Sequence, residues 1–187
     1  MDPVTGLFAD LVAAGPLGLF FASILANASI LLPLPVDILL VPIATIDFFG
    51  LGVWTPLILG LIVATGSTIG ETTSYILGMG GRVVLKKFKK EHANKIVEIG
   101  KELSGRGWEI NFFGKKFLLK GIPILIVFAF TPLPFDLAGI AAGIVHYPIN
   151  KFLLGCWLGK VPRYILIAYA GYFGMHWILT LLGVPSI

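Results

Sequence analysis

The sequence predicts an all-α integral membrane protein: an inverted repeat of two re-entrant helical hairpins, each followed by a transmembrane helix, with a cytoplasmic amphipathic connector between the halves. Three observations point there. The 187 residues are 57% hydrophobic and only 13% charged, with a mean hydropathy of +0.93, whereas a soluble domain keeps roughly a quarter of its residues charged. Apolar blocks of about 20 residues recur, long enough to exchange water for lipid. One motif, Pro-x-Pro-x-Asp, occurs twice inside such blocks. The length suits one domain, read as a first repeat over 1–80, a basic connector over 82–120, a second repeat over 121–174 and a short apolar segment over 175–187.

Residues 4–14 read as a short, partly amphipathic lead-in. Residues 17–32 are apolar apart from Ser23, Asn27 and Ser29. Pro33-Leu34-Pro35-Val36-Asp37 then interrupts the run. Two prolines two apart remove donors and restrict the residues before them, so a continuous helix is not expected. The chain returns over 38–46, and Asp47 is placed at an aqueous boundary. Residues 54–80 make the cleanest spanning helix. In the connector, Ala93, Ile96, Val97 and Leu103 recur at helical spacing, and Glu91 precedes Lys95 by four. That face is expected on head groups or on the protein, though a solvated helix fits the pattern equally well. Residues 122–131 span only about 15 Å as a helix, half a hydrocarbon core. Pro132-Leu133-Pro134-Phe135-Asp136 breaks them, 137–147 run back, and 151–174 are long enough to cross.

Charge sets the orientation. Eleven of the fourteen Lys and Arg lie between Arg82 and Lys120, with only Glu91, Glu98, Glu102 and Glu109 against them. Such connectors stay in the cytoplasm. Before Trp54 there are Asp2, Asp10, Asp37 and Asp47 but no Lys or Arg, which puts that end outside. The first residues lack a basic stretch, so no cleavable signal is expected. The predicted location is the cell (plasma) membrane, multi-pass.

The two Pro-x-Pro-x-Asp breaks belong to a longer duplication. Downstream of them, Gly66, Gly70, Glu71 and Tyr75 match Gly155, Gly159, Lys160 and Tyr164 position for position. If each hairpin returns to the side it left, 54–80 carry the chain inward and 151–174 carry it outward. The halves then point in opposite directions, as in transporters built from inverted repeats with broken helices. The tips formed by Pro33, Pro35, Pro132 and Pro134 would meet near the midplane, where non-helical backbone needs a protein-lined or watery cavity.

Ionised side chains inside the hydrocarbon are functional candidates by default. Here they are Asp37 and Asp136 at the tips, Glu71 within 54–80, and Lys160 and Arg163 within 151–174. Glu71 shares a helical face with Ser67 and Ser74, and Lys160 with Arg163. The repeat puts Glu71 and Lys160 at equivalent positions, where they can meet; a structural salt bridge would explain that pair as well. In the functional reading Lys160 and Arg163, with Asp37 and Asp136, form the substrate site, the cations neutralising a lipid phosphate. Glu71, Asp37 and Asp136 exchange protons. The glycine pairs are explained by close helix packing. The four Trp are read as interface anchors, Cys156 as packing, and Pro123, Pro148 and Pro162 as shaping hairpins and kinks. His92, His146 and His176 are scattered. No metal and no cofactor are expected.

At these residues the sequence resembles the DedA family, also called the VTT or SNARE-associated membrane protein family, over roughly residues 17–174. The resemblance rests on Pro33-Leu34-Pro35-Val36-Asp37 after an apolar helix, and on Ala64-Thr65-Gly66-Ser67-Thr68-Ile69-Gly70-Glu71 to Tyr75 and Gly78. It rests also on Phe113-Gly114-Lys115-Lys116-Phe117, on Ala142-Gly143 to Tyr147-Pro148 and Phe152, and on Ala170-Gly171-Tyr172. The resemblance implies two facing re-entrant hairpins and lipid translocation, with bacterial members linked to flipping of polyprenyl phosphate or phosphatidylethanolamine, often driven by the proton-motive force. Many bacterial members carry Arg on both sides of the proline opening the second hairpin. Here Lys120 precedes Pro123 and no Arg lies between Ile124 and Phe130, so head-group preference does not transfer.

The expected activity is therefore a membrane lipid translocase, a flippase or scramblase moving a phosphate-bearing head group with proton coupling. The alternative is a proton-coupled secondary transporter of a small ion or solute, and a membrane scaffold is a third reading. No enzyme is expected, because the sequence holds no Ser-His pair, metal-ligand cluster or phosphate-cradling loop. Expected partners are membrane lipids, a lipid-phosphate head group and protons, with room for a homo-oligomer and no nucleic acid.

Overall fold

The computed structural model describes residues 10, 14–28, 36–81, 90–106, 108–112, 115–119, 121–131 and 135–181. Pro33, Pro35, Pro132 and Pro134, the expected hairpin tips, lie outside the described residues.

The described chain is predominantly helical, as expected. Helix α1, Gly15–Ala28, opens with Pro16 behind a left-handed Gly15, the arrangement that suits a first turn. It buries Leu19, Ala22, Ser23 and Ala26 and leaves Leu17, Phe21 and Leu25 outward at steps of four. Helix α2, Val36–Ile43, buries Val36, Leu40 and Ile43. Asp47 closes the following turn: its carboxylate accepts hydrogen bonds from the Leu51 and Gly52 amides at 3.0 and 2.8 Å and from the Thr55 hydroxyl at 2.5 Å. A 3-10 turn, Gly52–Trp54, leads into α3, Thr55–Gly70, and α4, Thr72–Met79.

These last pieces cover the segment that the sequence reading expects to span. Gly52–Met79 is, among the described residues, the one helical stretch long and apolar enough to cross a membrane by length and composition. It is divided at Glu71, where the bonding ladder nonetheless continues from Ser67 through Glu71 to Tyr75.

The connector holds α5, Lys90–Lys101, and a short turn Glu102–Arg106. Ile96, Ile99 and Leu103 are buried, and Gly100 packs against Val145. Positions 96, 99, 100 and 103 share one face of a helix. The apolar face thus rests on the protein, with Ile99 in the place the sequence reading gave to the exposed Val97. A local β-hairpin follows, which the all-α expectation did not include: Trp108–Phe112 (β1) pairs antiparallel with Lys115–Leu119 (β2), Trp108 opposite Leu119.

The second half is also built of helices. Helix α6, Ile122–Phe130, starts after Gly121, whose positive φ and contact with the Tyr147 hydroxyl admit no side chain. Helix α7, Phe135–Ile144, ends in a left-handed His146, with amide bonds from His146 to Gly143 and from Tyr147 to Ala142 satisfying the last carbonyls. Helix α8, Ile149–Leu181, continues unbroken through residues expected to form a separate tail, and carries Pro162 inside. Its 33 residues make about 50 Å of helix.

The same contacts recur in both halves. A Cβ on Gly66 would strike the Phe20 carbonyl and Ser23, and one on Gly70 the Ile24 carbonyl and Asn27. Gly155 meets the Ile122 carbonyl and Leu125, and Gly159 the Ile126 carbonyl and Ala129. A single constant shift maps all four α1 partners onto the α6 partners. The return arms cross over instead. Val41 of α2 lays its backbone on Gly171 of α8, and Ile140 of α7, its motif counterpart, lays its backbone on Gly78 of α4. Helices α3 and α8 cross directly where Gly60 meets Ile165.

Two apolar clusters result. One joins Tyr75, Ile96, Ile124, Phe135, Ile140, Phe152 and Cys156. The other joins Leu19, Leu40, Leu59, Val63, Tyr164 and Ala168. The α3–α4 stretch and α8 each contribute to both clusters. The buried polar side chains Ser67, Thr68, Glu71, Ser74 and Lys160 fall between those contributions along α3, α4 and α8.

Candidate functional site

The site is built where α8 passes the α3–α4 junction. Gly155 and Gly159 let α6 lie against α8, and Gly66 and Gly70 let α1 lie against α3. The polar residues between these close approaches face one another.

Lys160 lies at its centre and is 3% exposed. Its ammonium donates to Glu71 Oε1 at 2.7 Å, to Ser67 Oγ at 2.5 Å and to Asn27 Oδ1 at 3.0 Å. An ammonium has three N–H donors, so all of them are used. The face of the Phe135 ring lies 5.4 Å away. Around this pair, Ser67 Oγ and the Tyr164 hydroxyl are 3.2 Å apart, and the Ser74 hydroxyl reaches the Glu71 carboxylate. Asp136, in the first turn of α7, brings its carboxyl within hydrogen-bonding reach of Glu71 and within Coulomb range of Lys160.

One turn further along α8, Arg163 donates from Nη2 to Asp37 Oδ2 at 2.5 Å and from Nη1 to the Thr131 carbonyl at 3.2 Å. It therefore clasps the first turn of α2 and the end of α6 together. This pair is half-buried: the side chains are 21% and 37% exposed. Of the five guanidinium N–H groups, two are engaged among the described residues.

All five charged residues singled out in the sequence are thus in one region, as two ion pairs with Asp136 beside the inner one. Glu71 and Lys160, matched by the repeat, are in direct contact. Sequence reasoning missed Asn27, the Thr131 carbonyl and the Phe135 ring as members. Asn27 had a weak signal: an amide in an apolar run, four residues after Ser23, whose carbonyl it binds at 2.9 Å. A backbone carbonyl carries no sequence signal.

No curated protein and no solved structure matches this chain. The family model for the VTT domain matches residues 34–173, from just before Asp37 to the far side of the Lys160–Arg163 turn. The chain belongs to that family, the DedA family of membrane proteins, a membership in keeping with a transporter or flippase.

Proposed function

We propose that this chain translocates a phosphate-bearing lipid head group across the cell membrane, coupled to protons. The observation carrying the reading is the convergence of five charged side chains from both halves on one turn and a half of α8, as a sealed inner pair and a partly exposed outer one.

Several features support the membrane setting. Large apolar side chains point outward along α1 (Leu17, Phe21, Leu25), α4 (Ile76, Leu77) and α8 (Leu154, Leu158, Leu166, Phe173). Contiguous apolar surface of this kind suits lipid better than water. In this reading the halves form an inverted repeat and the hairpins α1–α2 and α6–α7 dip from opposite faces. The basic connector is cytoplasmic. The shared glycine contacts support the duplication, and the crossed return arms fit hairpins that reach past each other.

The two pairs divide the work. The inner ammonium has no donor left for a ligand, so Lys160 acts as a fixed countercharge rather than as the substrate ligand expected from sequence. Among the described residues Arg163 uses two of its five donors, and it bonds a carboxylate that a phosphate can displace, bidentately if it approaches in plane. A partly exposed ion pair at membrane depth is tolerable only where water or head groups reach it, so the outer pair is the end of the cluster that a head group can approach. Glu71 and Asp136 share one ammonium. With both ionised the cluster carries net negative charge; with one proton bound it is neutral. A proton on Glu71 itself would loosen its bond to Lys160, leave Asp136 as the ammonium's counter-charge and let the halves shift, while the lipid tail stays in hydrocarbon.

The test is movement of head-group-labelled phosphatidylethanolamine in reconstituted vesicles, with and without a pH gradient. Wild type should move lipid faster under the gradient. Arg163→Ala should slow it by about tenfold or more, since a charge-assisted hydrogen bond is worth about 1.5–3 kcal/mol. Equal rates for wild type and variant, indifferent to the gradient, overturn the proposal.

A further inference from the structure

We infer that Asn27 is a positioning residue that holds the Lys160 ammonium in place while the neighbouring carboxyls exchange a proton, and so sets the pH window of coupling. Its pH arm rests on the translocase reading above; its structural arm does not.

The geometry fixes the side chain's orientation. Asn27 Nδ2 donates to the Ser23 carbonyl at 2.9 Å, which turns Oδ1 toward Lys160 at 3.0 Å. The residue reaches this place because Gly70 leaves room: a Cβ there would lie 2.9 Å from the Asn27 Cβ. In the second half the counterpart of Asn27 is Ala129, seated the same way on Gly159. The approximate two-fold relation between the halves is therefore broken here, by one amide facing one buried charge.

Chemistry assigns the amide its role. When Glu71 takes a proton it remains a hydrogen-bond acceptor but no longer offers a negative charge. The ammonium then keeps the Asp136 carboxylate within Coulomb range, and the contacts that hold its position are neutral dipoles, Asn27 Oδ1 and Ser67 Oγ. The titratable and charged groups facing the ammonium are few. Glu71 comes from the α3–α4 junction and Asp136 from α7; Cys156 and Tyr164 lie on α8 itself. Helix α2 meets α8 through Asp37 at Arg163, and α1 and α6 contribute no titratable residue.

The experiment combines Asn27→Asp, Asn27→Leu and Glu71→Gln, followed by thermal unfolding in detergent and by labelled-phosphatidylethanolamine movement across a pH series. Asn27→Asp places a carboxylate on the ammonium from its other side. In the Glu71→Gln background it should restore most of the lost melting temperature, because the counter-ion has only changed sides. In the wild-type background it should move the pH profile of lipid movement upward by about one unit, since added negative charge favours protonation of nearby carboxyls. Asn27→Leu should slow movement without that upward shift. Failure of Asn27→Asp to rescue Glu71→Gln overturns the assigned contact. An unshifted profile with intact rescue confines Asn27 to a structural tie and overturns its control of the pH window. Rescue in a protein that moves no lipid at any pH sinks the translocase reading and leaves the Lys160 contact standing.

Discussion

The two ion pairs on α8 lie one turn apart and are built to opposite specifications. Lys160–Glu71 is sealed, with both side chains 4% exposed or less and every ammonium donor engaged. Arg163–Asp37 is partly exposed, and among the described residues it engages two of the five guanidinium donors. The difference teaches that charge alone does not mark a binding residue. A cation already satisfied in a dry site is a fixture of the fold, whereas a cation with spare donors at an accessible edge can change partners.

The largest expected effect tests the sealed pair. Glu71→Gln should cost about 3 kcal/mol, because it removes the buried ammonium's contacting counter-ion and leaves only Asp136 at Coulomb range, and should lower the melting temperature in detergent sharply. Lys160→Met combined with Glu71→Leu should recover most of that loss, since a buried pair can often be exchanged for apolar residues without penalty. A double variant as unstable as the single one would mean that the pair stabilises the fold beyond cancelling its own charges.

Next in size is a functional effect at the open pair. Arg163→Lys keeps the charge but replaces a planar fork with a point charge. Folding should be unaffected, and lipid movement should fall by about tenfold, the equivalent of one charge-assisted contact. Full activity in this variant would show that attraction alone suffices there. Asp37→Asn should change stability by about 1 kcal/mol or less, the range for accessible ion pairs. A loss as large as that of Glu71→Gln would erase the distinction between the pairs.

Much of this was legible in the sequence, for identifiable reasons. Proline pairs and charges stand out in apolar runs, so the breaks and the five charged residues could be found. The matched motifs put Glu71 and Lys160 at equivalent positions, and the expected contact between them is present. The pairing of Arg163 with Asp37 could not be read, because those residues are not repeat equivalents and meet only through the crossing of α2 onto α8. Asn27 was hidden because an amide among leucines and alanines looks like a tolerated interruption until its partner is known. That α8 runs on past residue 174 could not be read, since Gly174 lowers helix propensity by only about 1 kcal/mol and neither marks nor forbids a helix end. The β-hairpin at 108–119 was masked by the basic composition of its neighbourhood.

A third carboxylate extends the comparison to the exposed limit. Asp47 accepts from the Thr55 hydroxyl and from backbone amides of its own turn, and these bonds, the Thr55 hydroxyl first, hold its pKa below the ordinary aspartate range. A lowered folded-state value means that the ionised form stabilises the fold. That contribution is complete above the unfolded value of about 3.9 and is lost as pH falls through the lower folded value. Asp47→Asn keeps one acceptor oxygen but no charge. It should therefore lower the melting temperature slightly at neutral pH, and the gap from wild type should close on acidification below about pH 4. A gap that stays constant into strong acid would assign the turn to shape rather than charge. Asp47 would then no longer be the exposed end of a scale on which burial decides what a carboxylate does.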